Sequence, residues 1–518
     1  MSPATQNESV RDLIDRQAIV NPQRPYLLIP ESGTVVSFAR LQQQVRAVAH
    51  FIESRGVAKG SSVAYAMSNS HLCVLTLLGI MYGGYRAVAV NLVAGRDVIA
   101  YVLSHSQSQL VFMQPELAPL IKDALQCDVF RNEAATSGQA TPPVCTLLNH
   151  ELVDQWLDES VAPSQTDVQA GDDALLMYTS GTTGRPKGVT LSHGNLIAGG
   201  ANVAMAHALT SDDRALCVLP LYHINGLCVT LMGPLFVCGS LVLPMRFSTS
   251  AFWTHVDNYQ CSWFSVVPTQ IAFLLRDAAD RNKSRPFLRF GRSASAPLSP
   301  DVHSAFEARF GVPLIETMGL TETAAQILSN PLPPAVRKLG SPGLPVGDEV
   351  IIVNAQLQPV PAGVEGELLV RGANVMSRYF RNERATSQAL TGDGWFRTGD
   401  LGRKDADGYL FISGRLKELI IKGGENIAPR EIDDALYQHA DVVEAAAFAC
   451  PCDDFGQRVE AAVVLKQSST LGEADLIASC VQRVGQFKSP DRIHILTELP
   501  KGPSGKIQRA RILDLVSS

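Results

Sequence analysis

One stretch of the chain, residues 178–189, combines the residue types that bind phosphate. Among its residues are Thr179, Ser180, Gly181, Thr182, Thr183, Gly184 and Lys187. Hydroxyls and backbone N–H groups donate hydrogen bonds, glycines allow close backbone approach, and the lysine adds a positive charge, so the stretch suits a polyphosphate. The G-x-x-x-x-G-K-[ST] spacing of a Walker A loop is missing. The alternative is an ordinary Gly/Ser/Thr surface loop, which the apolar, strand-like residues 174–178 directly upstream disfavour.

Three charged residues further along the chain stand in contexts that nucleotide chemistry can use. Glu322 follows Thr321, and a carboxylate beside phosphate can bind Mg²⁺. Asp400 follows a glycine, which on its own is only a turn signal. Lys506 is surrounded by glycine, proline and serine, which predicts a mobile loop, and a solvated basic tail is the alternative.

Together these stretches resemble the motifs of adenylate-forming enzymes, the family of acyl-CoA synthetases, luciferases and peptide-synthetase adenylation domains. The resemblance implies that residues 179–187 bind the phosphates of ATP, that Thr321 contacts the α-phosphate and that Glu322 binds Mg²⁺. The other ATP-binding residues that it implies are Ser295, Ala296, Pro297, Met318, Asp400 and Arg415. Met318 replaces the aromatic residue that usually stacks on adenine, and its thioether can cover a purine face.

The resemblance also implies the course of the reaction. ATP converts a carboxylate to an acyl adenylate and releases pyrophosphate, and CoA then takes the acyl group as a thioester. Lys506 matches the catalytic lysine, which bridges the carboxylate and the α-phosphate. The C-terminal domain then rotates about a hinge at Lys417, and Gly423 and Gly424 let the pantetheine thiol pass.

The acid pocket is predicted at polar residues. The resemblance places His223 at the mouth of the pocket, as a catalytic and substrate-binding residue. Asn225 and Ser293 are predicted to form its walls, with Ser295 as a further candidate. Donors of this kind suit a small acid with a second anionic group and are poor partners for a fatty chain.

The likeness is greatest to the oxalate–CoA ligase-like branch of the family, which also holds sulfonate–CoA ligases. It is carried by residues 245–253, 292–295 and 329–333. Oxalate-type enzymes usually carry a second histidine where Asn225 stands, and asparagine is a neutral donor and acceptor. The hypothesis is therefore a small dianion such as oxalate or sulfoacetate.

Several other functions stay open at this point. A medium-chain or aryl acid–CoA ligase, a stand-alone adenylation domain and a luciferase-like oxygenase share the same motifs. An amino-acid adenylation domain would carry an aspartate near residues 222–223, and none is present. A non-enzymatic adenylate-binding protein would have lost Lys506, Glu322 or Asp400, and all three are present.

Composition and periodicity predict how these residues are positioned. A chain of 518 residues is too long to form a single hydrophobic core, so two or more domains are expected. Buried strands alternate with helices, which predicts α/β layers around a largely parallel sheet. The resemblance divides this chain into a large N-terminal AMP- and acyl-binding domain of layered α/β subdomains, residues 1–414, and a small mobile α+β C-terminal domain, residues 415–518. Residues 131–143 are expected to form a surface loop.

Bulk properties restrict the partners. The net charge of −6 gives no indication of nucleic-acid binding. The resemblance implies a carboxylate, ATP and CoA as ligands, and a monomer or homodimer is expected. The ten cysteines are scattered and no signal peptide is evident, which predicts reduced thiols and a cytoplasmic location. Residues 224–245 lack charge but contain glycine and proline, so a buried helix, a turn and a strand at 240–244 are expected instead of a membrane span.

Overall fold

The computed structural model describes residues 7–138, 141–158, 167–179, 185–277, 283–439, 441–501 and 507–516. Its strands, in chain order, are β1 (Pro25–Ile29), β2 (Thr34–Ser37), β3 (Ser62–Ala66), β4 (Arg86–Ala89), β5 (Leu110–Met113), β6 (Val144–Leu147), β7 (Asp173–Thr179), β8 (Lys187–Ser192), β9 (Arg214–Cys217), β10 (Ser240–Val242), β11 (Trp263–Val266), β12 (Phe290–Ser293), β13 (Leu314–Leu320), β14 (Ala325–Ser329), β15 (Leu344–Pro345), β16 (Glu349–Val353), β17 (Gly366–Arg371), β18 (Arg378–Tyr379), β19 (Phe396–Lys404), β20 (Leu410–Arg415), β21 (Ile420–Lys422), β22 (Glu425–Ile427), β23 (Val442–Cys452), β24 (Gly456–Leu465) and β25 (Arg492–Ile495).

The α-helices connect and cover these strands. They are α1 (Val10–Val20), α2 (Phe38–Ser54), α3 (His71–Tyr82), α4 (Arg96–His105), α5 (Ala118–Gln126), α6 (Asp128–Ser137), α7 (His150–Asp158), α8 (His193–Ala206), α9 (Gly233–Val237), α10 (Thr249–Tyr259), α11 (Pro268–Arg276), α12 (Pro300–Phe310), α13 (Glu383–Ala389), α14 (Pro429–Tyr437), α15 (Glu473–Lys488) and α16 (Arg509–Val516). A π-helix, Asn225–Met232, precedes α9, and 3₁₀ turns span Pro115–Leu117, Thr321–Thr323 and Leu416–Glu418.

Two mixed sheets form the main body of the molecule. One has the strand order β18-β8-β7-β4-β3-β5-β6, the other β15-β14-β13-β12-β11-β9-β10-β1-β2, and the central pairs of both are parallel. Helix α3, buried along its whole length, lies in the core between them, as expected of a helix that is apolar on every face. Helices α4–α6 cover the outer face of the first sheet and α10–α12 that of the second. The predicted layered α/β fold is confirmed.

Two smaller sheets follow in the chain. The antiparallel sheet β16-β17-β19-β20 carries Asp400 and Arg415 on adjacent strands. The sheet β22-β21-β24-β23, with β25 beside β24, packs with α14, α15 and α16 around cores of its own, Ile420 among them. The chain after β20 thus forms a small α+β unit.

Two local expectations have different outcomes. Residues 131–137 belong to α6 and not to a surface loop, because Phe130 and Ala134 pack against the core under α4 and stabilise a helix there. The uncharged residues 224–245 form the π-helix, α9 and β10, as expected. Among the residues described, no helix is long and apolar enough to cross a bilayer.

Candidate nucleotide and acid site

The strands on either side of the predicted phosphate loop, β7 and β8, pair antiparallel. Thr179 and Lys187 are register partners at the ends of these strands, so the hairpin brings both ends of the loop together. Residues 180–184, which include the predicted Ser180, Gly181, Thr182, Thr183 and Gly184, lie outside the described residues.

Lys187 and Glu322 meet through Tyr379, which the sequence analysis missed. The Lys187 Nζ is 4.8 Å from the centroid of the Tyr379 ring, and the Tyr379 hydroxyl donates to Glu322 Oε1 at 2.9 Å. Burial and the Glu322 carboxylate raise the pKa of Tyr379, so the phenol stays protonated and acts as the donor. Tyr379 reaches this position because β18 pairs with β8, a pairing of distant segments with no local motif.

The turn that carries Thr321 and Glu322 follows β13. The two residues begin the 3₁₀ turn Thr321–Thr323, and the Glu322 carbonyl accepts a 2.8 Å hydrogen bond from the Met376 N–H. This contact fixes the backbone of Glu322, and Tyr379 orients its carboxylate. Met318 lies half-buried in β13, three residues before Thr321.

Asp400 and Arg415 face each other across β19 and β20. Their Cα positions are in register, and Arg415 Nε lies 2.8 Å from Asp400 Oδ1. Asp400 is 3% exposed. Its negative charge is the largest cause of the raised pKa of Arg415, and the charges of Glu418 and Glu322 raise that pKa further. The two predicted ribose-binding residues therefore lie close to the predicted metal-binding carboxylate.

The predicted hinge lies against the same site. Lys417 occupies the 3₁₀ turn Leu416–Glu418. Burial lowers the pKa of Lys187, the positive charge of Lys417 lowers it further, and Glu322 partly opposes both. This repulsion between two lysines creates a region that favours anions beside the phosphate loop.

The remaining C-terminal predictions fall in two loops. Gly423 and Gly424 form the turn between β21 and β22 with φ values of +59° and +86°, and the Gly423 N–H donates to the Phe455 carbonyl. Lys506 lies outside the described residues, while Lys501 and Ile507 on either side of its loop form an antiparallel bridge.

Asn225 is the centre of a buried polar network at the start of the π-helix. Its Nδ2 donates to Ser295 Oγ at 3.2 Å, and its Oδ1 accepts from Ser265 Oγ at 3.0 Å and from Arg292 Nη1 at 2.9 Å. His223 is half-buried, and its ring centroid is 4.8 Å from that of Tyr222. The sequence analysis missed Arg292, although an arginine inside a four-residue buried strand is itself an unusual signal.

Ser293, which ends β12, and the predicted site residues that follow it do not share the position of Arg292. Ser293 is in register with Val266 and Glu316, whereas its neighbour Arg292 faces Ser265, so the two side chains point to opposite sides of the sheet. Ser295 adopts a positive φ of 74°, and Ala296 and Pro297 are exposed beside it.

Comparison with known proteins decides the family. The profile of the AMP-binding enzyme family matches residues 14–380, and that of the AMP-binding enzyme C-terminal domain matches residues 431–506. The chain belongs to the AMP-binding enzymes. The sulfoacetate–CoA ligase of Cupriavidus necator is 44% identical over 510 residues, which cover 98% of each chain. The oxalate–CoA ligase of Arabidopsis thaliana is 35% identical over 515 residues, which cover 97% of this chain and 98% of the relative.

Structural similarity agrees with the family assignment. The crystal structure of ATP-bound MatB from Rhodopseudomonas palustris superimposes with a TM-score of 0.89 at 28% identity, covering 99% of both chains. The present chain is therefore an AMP-forming acid–thiol ligase, an acyl-CoA synthetase, with a carboxylic acid, ATP and CoA as its substrates.

Within this AMP-binding enzyme, the fold brings together residues that are far apart in sequence. Lys187 and Glu322 lie against Tyr379, Arg415 pairs with Asp400 near Glu322, and Lys417 lies near Lys187. Asn225, Ser295 and Arg292 form a second group, in which Asn225 bonds to both of the others, and His223 stands two residues before Asn225 in the chain.

Proposed function

We propose that this ligase activates a small dianionic carboxylic acid of the sulfoacetate type. The observation that carries the proposal is the buried network of Asn225, with Ser295 and Ser265 as hydroxyl partners, at the segment predicted to bind the acid. A second anionic group can accept hydrogen bonds from an amide N–H or a hydroxyl, whereas an aliphatic chain has no acceptor to offer such groups. The relative with 44% identity is named for sulfoacetate, which supports this choice among small dianions.

At the nucleotide, we assign roles according to the charges that lie together. Residues 179–187 bind the phosphates, with Lys187 and Lys417 providing positive charge beside them. Asp400 accepts hydrogen bonds from the ribose hydroxyls, and Arg415 orients its carboxylate at 2.8 Å. Thr321 contacts the α-phosphate, and Ser295, Ala296, Pro297 and Met318 lie along the adenine.

Glu322 fits Mg²⁺ as a cofactor, because its carboxylate supplies hard oxygen ligands and Tyr379 fixes one oxygen by a 2.9 Å hydrogen bond. A bound Mg²⁺ would neutralise charge on the phosphates. The pKa of the Tyr379 phenol is raised, so its proton stays on the tyrosine and the hydroxyl donates to the Glu322 carboxylate.

The proposed chemistry proceeds in two steps. A carboxylate oxygen of the acid attacks the α-phosphorus, a new P–O bond forms, and the bond to pyrophosphate breaks; Lys506 bridges the two anions by donating to both. The C-terminal unit then rotates about Lys417, with the domain boundary near residue 414, and Gly423 and Gly424 admit the pantetheine thiolate. The thiolate attacks the acyl carbon, and AMP leaves. His223 lines the mouth of the acid pocket.

A substrate panel tests the proposed acid. ATP–pyrophosphate exchange would be measured with sulfoacetate, oxalate, malonate, acetate and octanoate, and CoA thioesters would be identified by mass. We expect sulfoacetate to give the highest kcat/KM and octanoate the lowest. If octanoate were the best substrate, the polar-pocket proposal would be wrong, and a clear maximum at oxalate would assign the other dianion. The monomer or homodimer state and the cytoplasmic location stay predictions.

A further inference from the structure

Arg292 is a buried cation whose hydrogen-bond partners are all neutral. Its side chain, in the central strand β12, is 1% exposed. Nη1 donates to Asn225 Oδ1 at 2.9 Å and to Ser265 Oγ at 3.1 Å, and Nε lies 3.3 Å from Gln326 Oε1. These are amide and hydroxyl oxygens, so they solvate the guanidinium but do not neutralise its charge.

No resident anion compensates this charge in the part of the chain that the structure describes, where Arg292 makes no ion pair with a carboxylate. Burial lowers the pKa of Arg292 to about 9, so the guanidinium is still charged near neutral pH. Its titratable neighbours are neutral there, because burial and Arg292 lower the pKa of His207 to about 3, and burial raises that of Cys228 to about 12. A buried charge without a counter-ion is costly, and an anionic ligand would offset that cost.

The same guanidinium fixes the orientation of the Asn225 amide. A guanidinium has five donors and no acceptor, so the amide must direct its oxygen toward Arg292. The Ser265 hydroxyl donates to that same oxygen at 3.0 Å. The Asn225 Nδ2 is therefore directed to the other side, where Ser295 Oγ lies 3.2 Å away. On that side Asn225 can only donate hydrogen bonds.

We propose that Arg292, acting through Asn225, makes this enzyme select acids that carry a second negative group. The Asn225 N–H donates to that group, and the Arg292 charge directly behind the amide lowers the energy of the anion. Arg292 is thus a positioning residue that determines specificity. The inference rests on the proposed function in one respect, the placement of Asn225 in the acid pocket.

Two pairs of acids, each differing in one negative charge at nearly constant shape, test the inference. They are sulfoacetate against methylsulfonylacetate, and malonate against monomethyl malonate. The quantity measured is the ratio of kcat/KM within each pair, from pyrophosphate exchange on the full chain. For the wild type we expect about a tenfold or greater preference for the dianion in at least one pair, expressed mainly in KM, because charge-assisted hydrogen bonds are the stronger ones.

Four variants separate charge from packing. Arg292→Met removes the charge, and Asn225→Asp places a carboxylate against Arg292 in the volume of the amide; in both we expect the ratio to fall to about one. Arg292→Lys keeps the charge and should retain a clear preference. Ser265→Ala removes one donor to Asn225 without changing any charge, and should also retain it. Asn225→Asp keeps the test decisive if Arg292→Met does not fold, because the new ion pair should stabilise the fold.

The outcomes distinguish this inference from the proposed substrate. A wild-type ratio near one in both pairs, or a wild-type ratio that persists in Asn225→Asp, overturns the role of Arg292. If sulfoacetate were the best substrate and Arg292→Met and Asn225→Asp kept its preference, the proposed function would stand and this inference would fail. If malonate showed the charge preference and lost it in these two variants while sulfoacetate was inactive, the inference would stand and the sulfoacetate assignment would fail.

Discussion

At the scale of single residues, the nucleotide site depends on pairs in which one member orients the other. Tyr379 orients Glu322, and Arg415 orients Asp400. In each pair we propose that the carboxylate binds the ligand, and the partner side chain restricts the positions that this carboxylate can take. Preorganisation of this kind removes part of the ordering cost of binding ATP.

Asp400→Asn should weaken ATP binding. The amide cannot accept hydrogen bonds from both ribose hydroxyls as a carboxylate does, and it loses the ion pair with Arg415. We expect the KM for ATP to rise about 10-fold to 100-fold, the range of one or two charge-assisted hydrogen bonds. Steady-state kinetics at saturating acid and CoA measure the change.

The matched control for this prediction is Glu349→Gln, which removes a carboxylate from the same sheet. Glu349 pairs with Arg371 at 2.8 Å on an exposed edge. It should leave the KM for ATP unchanged, since an exposed ion pair contributes little. An equal effect of the two substitutions would argue against a ribose role for Asp400.

At the scale of elements, Asp348 connects helix α8 to the segment after β17. Asn374 Nδ2 donates to its carboxylate at 3.0 Å, and Asn202 Nδ2 of α8 does so at 3.4 Å. Burial is the main cause that raises the pKa of Asp348 to about 7, from its ordinary 3.8, and the two amides oppose the shift. At pH values between these two pKa values, Asp348 is therefore protonated in the folded protein and ionised in the unfolded chain.

The pH dependence of stability follows from that shift. Between about pH 4 and pH 7, Asp348 ionises in the unfolded chain but stays protonated in the folded protein. The free energy of unfolding therefore falls as the pH rises through this range, and above pH 7 Asp348 lowers it by about 2 kcal/mol or more. Asp348→Asn should raise Tm relative to the wild type at pH 8 and by much less at pH 4.5.

Differential scanning fluorimetry across this pH range measures the Asp348 effect. Asp407→Asn is the control, because its carboxylate is exposed and only pairs with Lys338. A Tm difference between Asp348→Asn and the wild type that did not change with pH would contradict the assignment.

Arg509 joins three elements of the C-terminal unit. Its guanidinium pairs with Asp433 of α14, donates to the Ala447 carbonyl of β23, and lies 3.3 Å from Glu418 beside the hinge. Arg509→Met would leave the buried Asp433 without its cation, at a cost on the order of 3 kcal/mol.

The expected result of Arg509→Met is faster proteolysis within residues 415–518, with the N-terminal part intact. Arg511→Met is the matched control on the same helix, since Arg511 is exposed and donates to Gln508. Limited trypsin digestion followed by mass spectrometry compares the two. Equal resistance of the two variants would show that the Asp433 pair does not hold these elements together.

At the scale of the whole molecule, the proposed reaction needs two arrangements of the chain about Lys417. Lys506 serves adenylation in one arrangement, and Gly423 and Gly424 serve thioester formation in the other. Lys506→Ala should lower the adenylation rate by about 100-fold or more, since a positioned cation stabilises the transition state. Thioester formation from chemically prepared acyl-AMP and CoA should change only by about a factor of a few.

Rapid-quench measurement of the two half-reactions tests the role of Lys506. Lys501→Ala is the control, because it removes a lysine from the start of the same loop, one that pairs with Glu444. Equal loss of both half-reactions in Lys506→Ala would contradict the two arrangements.

The sequence by itself determined the family and the layered fold. The predicted alternation of helices and buried strands is seen in helix α3 and strand β5, each of which is a continuous apolar run whose burial is encoded locally. Glu322, Asp400 and Lys506 could be predicted as site residues because each stands in a compact motif with its neighbours along the chain.

Only the tertiary structure decided which side chains act together. Arg292 contacts Asn225 across 67 positions of the chain, and Tyr379 reaches Glu322 across 57. Helix α6 exists because Phe130 packs on a core built by other segments. Such contacts depend on how strands cross over and pair, and no spacing within one sequence records that geometry.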